Sequence, residues 1–180
     1  MKWLSESKNG FVKVSAANGF VLSIKYLPPE YLALNELSKD DNNGDKTYND
    51  YLELFNKSRT FLLTINHEEE SVDASKYGVF NLAEYSQRIK DLSFNIKDVI
   101  FLKTSSGHKY NPVLTTMENM YEIRNKKSIY MVFSDDQGEI LNSEKLDIVF
   151  QDIFLDTGIS HFVFDKKKID QLPNLNFLNK

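Results

Sequence analysis

The 180-residue sequence has no cysteine. Disulfides, thiolate metal sites and cysteine nucleophiles are excluded together. Glycine is scarce, with seven residues, and none forms a phosphate-cradling loop or a G-x-S-x-G elbow. Basic charge is not in excess: 22 Lys and Arg stand against 26 Asp and Glu, a net charge of -4. A field of that sign repels phosphate backbones, so nucleic acid is not expected as a partner. Long apolar runs are missing too. The longest, Ile129 to Phe133, is far too short to cross a bilayer, and Met1 to Glu6 carries no signal-like apolar core.

What is present is periodic. Residues 11 to 26 read as a hairpin, because Phe20, Leu22, Ile24 and Tyr26 alternate with Val21, Ser23 and Lys25 after Asn18-Gly19, the dipeptide suited to a type I′ turn. Pro28-Pro29 ends the sheet, and a proline at the first helical position suits a short helix over residues 30 to 37. Ser38 to Lys46 reads as an exposed loop. Thr47 then caps a second helix carrying Tyr48, Tyr51, Leu52 and Phe55 at helical spacing. Arg59 to Asn66 alternates as a strand, and His67 to Tyr77 is a polar connection.

The longest coherent pattern runs from Asn81 to Leu102. Leu82, Tyr85, Ile89, Leu92 and Ile96 share one helical face, with Asn81 as cap and Glu84 reaching back to it. The helix is expected to pack on the sheet entered by Val99-Ile-Phe-Leu102, a run typical of a strand covered on both faces. Ser105-Ser106-Gly107 is a turn. In residues 108 to 123 a strand reading (Met117, Tyr121, Ile123) competes with a helical one (Met117, Met120, Tyr121, Arg124), and strand is preferred. Ile129 to Phe133 reads as a central strand ended by Asp135-Asp136-Gln137-Gly138. Leu146, Ile148 and Phe150 alternate until the parity shifts at Gln151-Asp152, which predicts a bulge or bend. Thr157-Gly158 leads into a last strand, Ser160 to Phe164, with a terminal helical turn near 166 to 172. Together these predict one α+β domain over residues 1 to 180, a mainly antiparallel sheet of about seven to eight strands with three helices packed on it.

Candidate chemistry is sparse. His67, His108 and His161 are far apart, and none has a second ligand at zinc-site spacing, so each reads as a surface or structural histidine. Asp40-Asp41-Asn42-Asn43-Gly44-Asp45 is rich in hard oxygen ligands, yet its spacing fails as a calcium loop. Counted from Asp41, Lys46 takes the glycine position and Leu52 the position of the bidentate glutamate. Glu6-Ser7-Lys8 matches the E-x-K tail of a nuclease core as a chance match. Arg124 to Lys127 and Lys166 to Lys168 are too short for a binding stripe. Tyrosines are plentiful, among them Tyr26, Tyr31, Tyr48, Tyr51, Tyr85, Tyr110, Tyr121 and Tyr130. They suit either core packing with hydroxyls at the rim or an interface. No catalytic, cofactor-binding or metal residue is assigned.

Four segments resemble a family of uncharacterised proteins of Bacteroidota-type bacteria: KYLPPEYLAL at 25 to 34, EYSQRIKDLSFNIKDVIFL at 84 to 102, PVLTTMENMYEI at 112 to 123, and DIVFQDIFLDTGISHFVFDKKKIDQLPNL at 147 to 175. The resemblance implies a mature domain behind a lipoprotein signal, and hence the cell envelope. It supplies no activity and no site residue. The sequence itself carries neither the signal nor the lipid-bearing cysteine.

The first expectation is therefore a non-enzymatic envelope domain that binds another protein, with contacts sought near residues 38 to 46, residues 67 to 77 and the Gln151-Asp152 bend. The alternative is a cytoplasmic immunity-type protein that neutralises a toxin. A third reading is an enzyme whose Asp, Glu and His groups meet only on folding, which would require a pocket lined by perturbed titratable groups.

Overall fold

Asn18 and Gly19 both hold positive φ, 51° and 76°, the combination that turns one strand tightly back on another. In the computed structural model, which describes residues 9–39, 46–118 and 125–171, they join β1 (Val12–Ala17) to β2 (Phe20–Leu27). Two helices follow, α1 (Pro29–Lys39) and α2 (Tyr48–Asn56), and then β3 (Arg59–His67). Helix α3 (Leu82–Lys90) leads to β4 (Ile100–Thr104), β5 (Lys109–Tyr110), β6 (Leu114–Met117) and β7 (Lys127–Phe133). A one-turn helix α4 (Glu139–Asn142), β8 (Lys145–Gln151), β9 (Ile159–Asp165) and a second one-turn helix α5 (Lys166–Ile169) are the last described elements.

The expected α+β class and antiparallel pairing hold, but the strands divide between two sheets. Sheet A has the order β1-β2-β3-β7-β6 and sheet B the order β5-β4-β8-β9. Nine strands and five helices lie in the described residues; beside the three expected helices stand α5, where a terminal helical turn was expected, and α4, following what the sequence showed only as a turn. Each sheet buries one face against the other. Leu22, Ile24, Phe61, Leu63, Ile129 and Met131 of sheet A meet Ile100, Leu102, Ile148, Phe150 and Phe162 of sheet B in one core. Phe61 sits at its centre, with ring centroids 5.4 Å from Tyr26, 6.0 Å from Phe133 and 5.1 Å from Phe164 across the sheets. Fully burying such a ring contributes roughly 1.5–3 kcal/mol. Along one seam β1 approaches β9, where small polar groups fill the gap: Ser15 and Ser160 hydroxyls lie 3.1 Å apart.

Helix α1 covers part of the outer face of sheet A. The Tyr130 hydroxyl on that face is raised in pKa by burial and then by Glu118, Tyr31 and Glu36, the last two from α1. Burial likewise lowers Lys25. Helix α2 packs on α1. Its start follows the expected cap: Thr47 and Asp50 form a reciprocal capping box, with the Thr47 amide donating to Asp50 Oδ2 at 2.6 Å.

The stretch from Asn81 behaves differently from its pattern at both ends. Asn81 Oδ1 accepts from the Glu84 amide at 3.0 Å as expected. The Glu84 carboxylate, however, takes the Phe80 amide (2.9 Å) and the Asn81 side-chain amide (2.7 Å), one residue earlier than a standard box. The α-helix ends at Lys90 and widens into a π-turn, Asp91–Asn95, then tightens into a 3-10 turn, Ile96–Asp98. Leu92 and Ile96 reach the core, whereas Leu82 is 78% exposed and Phe80 90%. The apolar stripe thus docks only at its C-terminal end, because the helix enters the body there and projects from it at the other. The following strand begins at Ile100, and Phe101 on its outer side is half-exposed beneath Lys109, whose Nζ lies 4.6 Å from the ring centroid. That corrects the expectation of cover on both faces.

Residues 108 to 118 contain the short strands β5 and β6, in keeping with the strand reading, while Met120, Tyr121, Ile123 and Arg124 lie outside the described residues. So do Glu6-Ser7-Lys8, the acidic run Asp40 to Asp45 and Pro173. No described helix is long and apolar enough to cross a membrane.

Candidate functional site

Period-two alternation puts Phe20 and Leu22 into the core and leaves Val21 on the outer face of sheet A, directly opposite Asn66 of β3. Burial on that face falls from Leu27 and Thr60, both buried, to Val21 and Asn66, which are half-exposed. At this uncovered end a pocket of about 550 Å³ opens over Val21 and Asn66. One wall is the end of β3 and the segment after it, contributing His67, Glu68, Glu70 and Val72; the other is Asn125 and Lys126, just before β7. Strands β3 and β7 are antiparallel neighbours, which brings the end of one beside the start of the other.

Local bonding fixes both walls. The Glu68 amide extends the ladder to the Gly19 carbonyl at 2.9 Å. His67 Nδ1 accepts from the Glu69 amide at 3.0 Å, so the neutral ring carries its proton on Nε2, and its face packs on Tyr77 with centroids 4.3 Å apart. Asn125 clamps the two walls: its Nδ2 donates to the Glu70 carbonyl at 2.7 Å, and its carbonyl accepts from the Ala74 amide at 2.9 Å. Asp73 caps Ser75 and pairs with Lys127 at 3.6 Å, both side chains mostly buried. The pocket is therefore held in shape by the protein's own hydrogen bonds.

Its charged groups are not paired off in the same way. Among the described residues no ion pair joins Glu68, Glu70 or Lys126 to anything, and the Asn66 side-chain amide has no hydrogen-bond partner.

A second polar cluster has the opposite character. Glu139, at the start of α4, accepts from four side chains of the β4–β5 hairpin: Thr104 Oγ1 (2.6 Å) and Ser106 Oγ on one oxygen, His108 Nδ1 (2.7 Å) and Tyr110 Oη (2.7 Å) on the other. Those bonds, that of His108 first, hold its carboxyl far below the usual range. The same carboxylate pushes the Tyr110 hydroxyl up to about 12, chiefly by accepting its hydrogen bond. Asp135 sets Glu139 in place by accepting from the Gln137, Glu139 and Ile140 amides. With each carboxylate oxygen already taking two donors, Glu139 has no lone pair directed at a substrate. It fastens a hairpin.

Asp152 is used likewise. The predicted bend is there: β8 ends at Gln151, and the buried Asp152 carboxylate accepts from the Phe154, Leu155 and Thr157 amides and from Thr157 Oγ1, all between 2.7 and 3.2 Å. Ile153 consequently points outward and Leu155 inward. On the outer face of sheet B, His161 Nδ1 lies 2.8 Å from Asp147 Oδ2.

The three histidines thus occupy three separate places, each with a local hydrogen-bond partner. Among the described residues no group of three or more His, Asp or Glu side chains is placed to hold a metal. Of the basic runs, Lys127 is spent on Asp73 and Lys166 on Asp170, and among the described residues Lys126 lines the pocket. Tyr26 is fully buried, with its hydroxyl pushed up to about 12 by burial; Tyr31, Tyr48, Tyr51, Tyr85, Tyr110 and Tyr130 are half-buried. The polar connection after β3, singled out in sequence by exposure alone, is the one that lines the pocket. Glu139 was not anticipated, though Thr104, Ser106, His108 and Tyr110 repeat at a spacing of two, a pattern of donors on one side of a hairpin.

No family model, curated protein or solved structure matches the chain. The pocket and its chemistry stand on this structure alone.

Proposed function

We propose that the protein is a non-enzymatic domain of the bacterial cell envelope that binds another protein, with the pocket at the open end of sheet A as the contact site. The observation that carries the reading is a contrast. Glu139 and Asp152 are saturated by groups of the protein itself, whereas Glu68, Glu70, Lys126 and Asn66 line a preformed concavity with their bonding capacity unspent. Saturated carboxylates serve architecture, and unspent polar groups in a pocket of this size serve recognition. The envelope placement rests on the four segments that resemble envelope lipoproteins.

The test is co-purification of tagged protein from envelope fractions of the source cells, comparing the native chain with Glu68→Lys/Glu70→Lys/Lys126→Glu and with a control, Val163→Ser, on the far sheet. A partner lost from the first variant and kept by the control supports the reading. A partner kept by both places recognition elsewhere.

A further inference from the structure

The pocket has a polarity of its own. Among the described residues, two acidic ones, Glu68 and Glu70, line the wall after β3, and one basic one, Lys126, lines the wall before β7. Opposite charges that border one cavity without pairing leave a field directed across it. A ligand of one sign would be attracted to one wall and repelled by the other, while a dipolar ligand satisfies both. Between the charged walls, Val21 and Val72 offer apolar contact and the Asn66 side chain offers an amide that can both donate and accept. That combination matches a peptide backbone with an aliphatic side chain.

Size narrows the choice. A volume of about 550 Å³ is that of a cube roughly 8 Å on edge, which two to three extended residues span at about 3.4 Å each. We infer that the pocket takes a dipolar peptide segment of two to three residues, its ammonium against Glu68 and Glu70, its carboxylate against Lys126, and an aliphatic side chain over Val21 and Val72. This rests on the binding reading above and names the chemistry of the ligand. On that reading, the two charges are those of Lys and Asp side chains within a loop of the partner protein, and the ends of a free short peptide are the competing source.

Three probes separate these sources: Ala-Val-Ala with free ends, Ac-Lys-Val-Asp-NH2, and uncharged Ac-Ala-Val-Ala-NH2. Each is titrated up to millimolar concentration into the full chain while the Asn66 and Asn125 side-chain amide signals are followed by NMR. Saturable shifts with the second probe support the inference, and shifts with the first probe alone would overturn it in favour of free peptides. Binding of the charged probes is expected to weaken about threefold or more in Lys126→Ala, the scale of one partly exposed ion pair. Shifts with none of the probes, or equal shifts with the uncharged one, would overturn the inference. If the charge-reversed chain still loses its protein partner in that event, the protein-binding reading stands without it; if it also keeps the partner, both fall.

Discussion

Asn125 donates its side-chain amide to the Glu70 carbonyl at 2.7 Å while its own carbonyl holds the Ala74 amide at 2.9 Å. One residue before β7 thus ties down the segment that forms the opposite wall of the pocket. Asn125→Ala removes the first bond and keeps the second. It is expected to cost about 1 kcal/mol of stability and to raise hydrogen exchange at residues 68 to 72 selectively. Unchanged exchange there would mean that the wall is held by other contacts.

Glu139 makes the stability depend on pH at both extremes. Its carboxyl is held below its ordinary 4.5 in the folded state, so its contribution is present above pH 4.5 and is lost as pH falls below that value. Tyr110 is raised from 10.0 to about 12. The folded state keeps that proton longer than the unfolded one, so this contribution is complete below pH 10 and lost as pH rises from 10 through 12. Glu139→Gln should flatten both limbs of a stability-against-pH curve measured by urea unfolding. Tyr110→Phe should flatten mainly the alkaline one, with a smaller effect on the acid limb because its hydroxyl is one of the four donors to Glu139, and should leave a residual alkaline slope from Tyr26, which is also raised to about 12.

Asp152 carries the β8–β9 connection. Asp152→Ala strips acceptors from the Phe154, Leu155 and Thr157 amides at a residue that is 9% exposed. The expected loss is about 3 kcal/mol, read from the shift of the urea midpoint at unchanged slope. Asp152→Asn, which keeps one acceptor oxygen, should recover part of it.

Gly19 is fixed by two constraints. Its φ is 76°, and a Cβ there would stand 3.2 Å from His67 Nε2. Gly19→Ala should destabilise by at least about 1 kcal/mol and disturb the His67 ring signals in NMR. By contrast, Phe80→Ser alters a side chain that is 90% exposed, and its effect on stability should stay within about 0.5 kcal/mol.

Much of this fold could be read from local chemistry. The Asn18-Gly19 hairpin, the Pro29 helix start, the Thr47 cap, β3, β7 and the turn at Gly138 are each specified by residues within a few positions of one another. What escaped was non-local. The division into two sheets depends on which strands meet, not on their individual patterns. The two-residue β5 is defined by its pairing of Tyr110 with Leu102, too short for any periodicity to register. The stripe from Leu82 to Ile96 gave the helix but not its depth, because period alone does not say how far along its length a helix touches the core. The candidate site was half legible. The polar segment from His67 to Tyr77 was marked by its exposure, but its partners Asn125 and Lys126 lie far along the chain, Asn125 being 55 residues from the Glu70 it bonds, and meet it through the β3–β7 pairing.

The most direct test of the account is photo-crosslinking from inside the pocket. A photoreactive residue placed at Val72, and in a separate chain at Val163 on the outer face of sheet B, is activated in source cells and the adducts are compared. The account predicts a discrete protein adduct from position 72, abolished by Lys126→Glu, and none from position 163. An adduct from position 163 alone would contradict it and move the binding surface to sheet B.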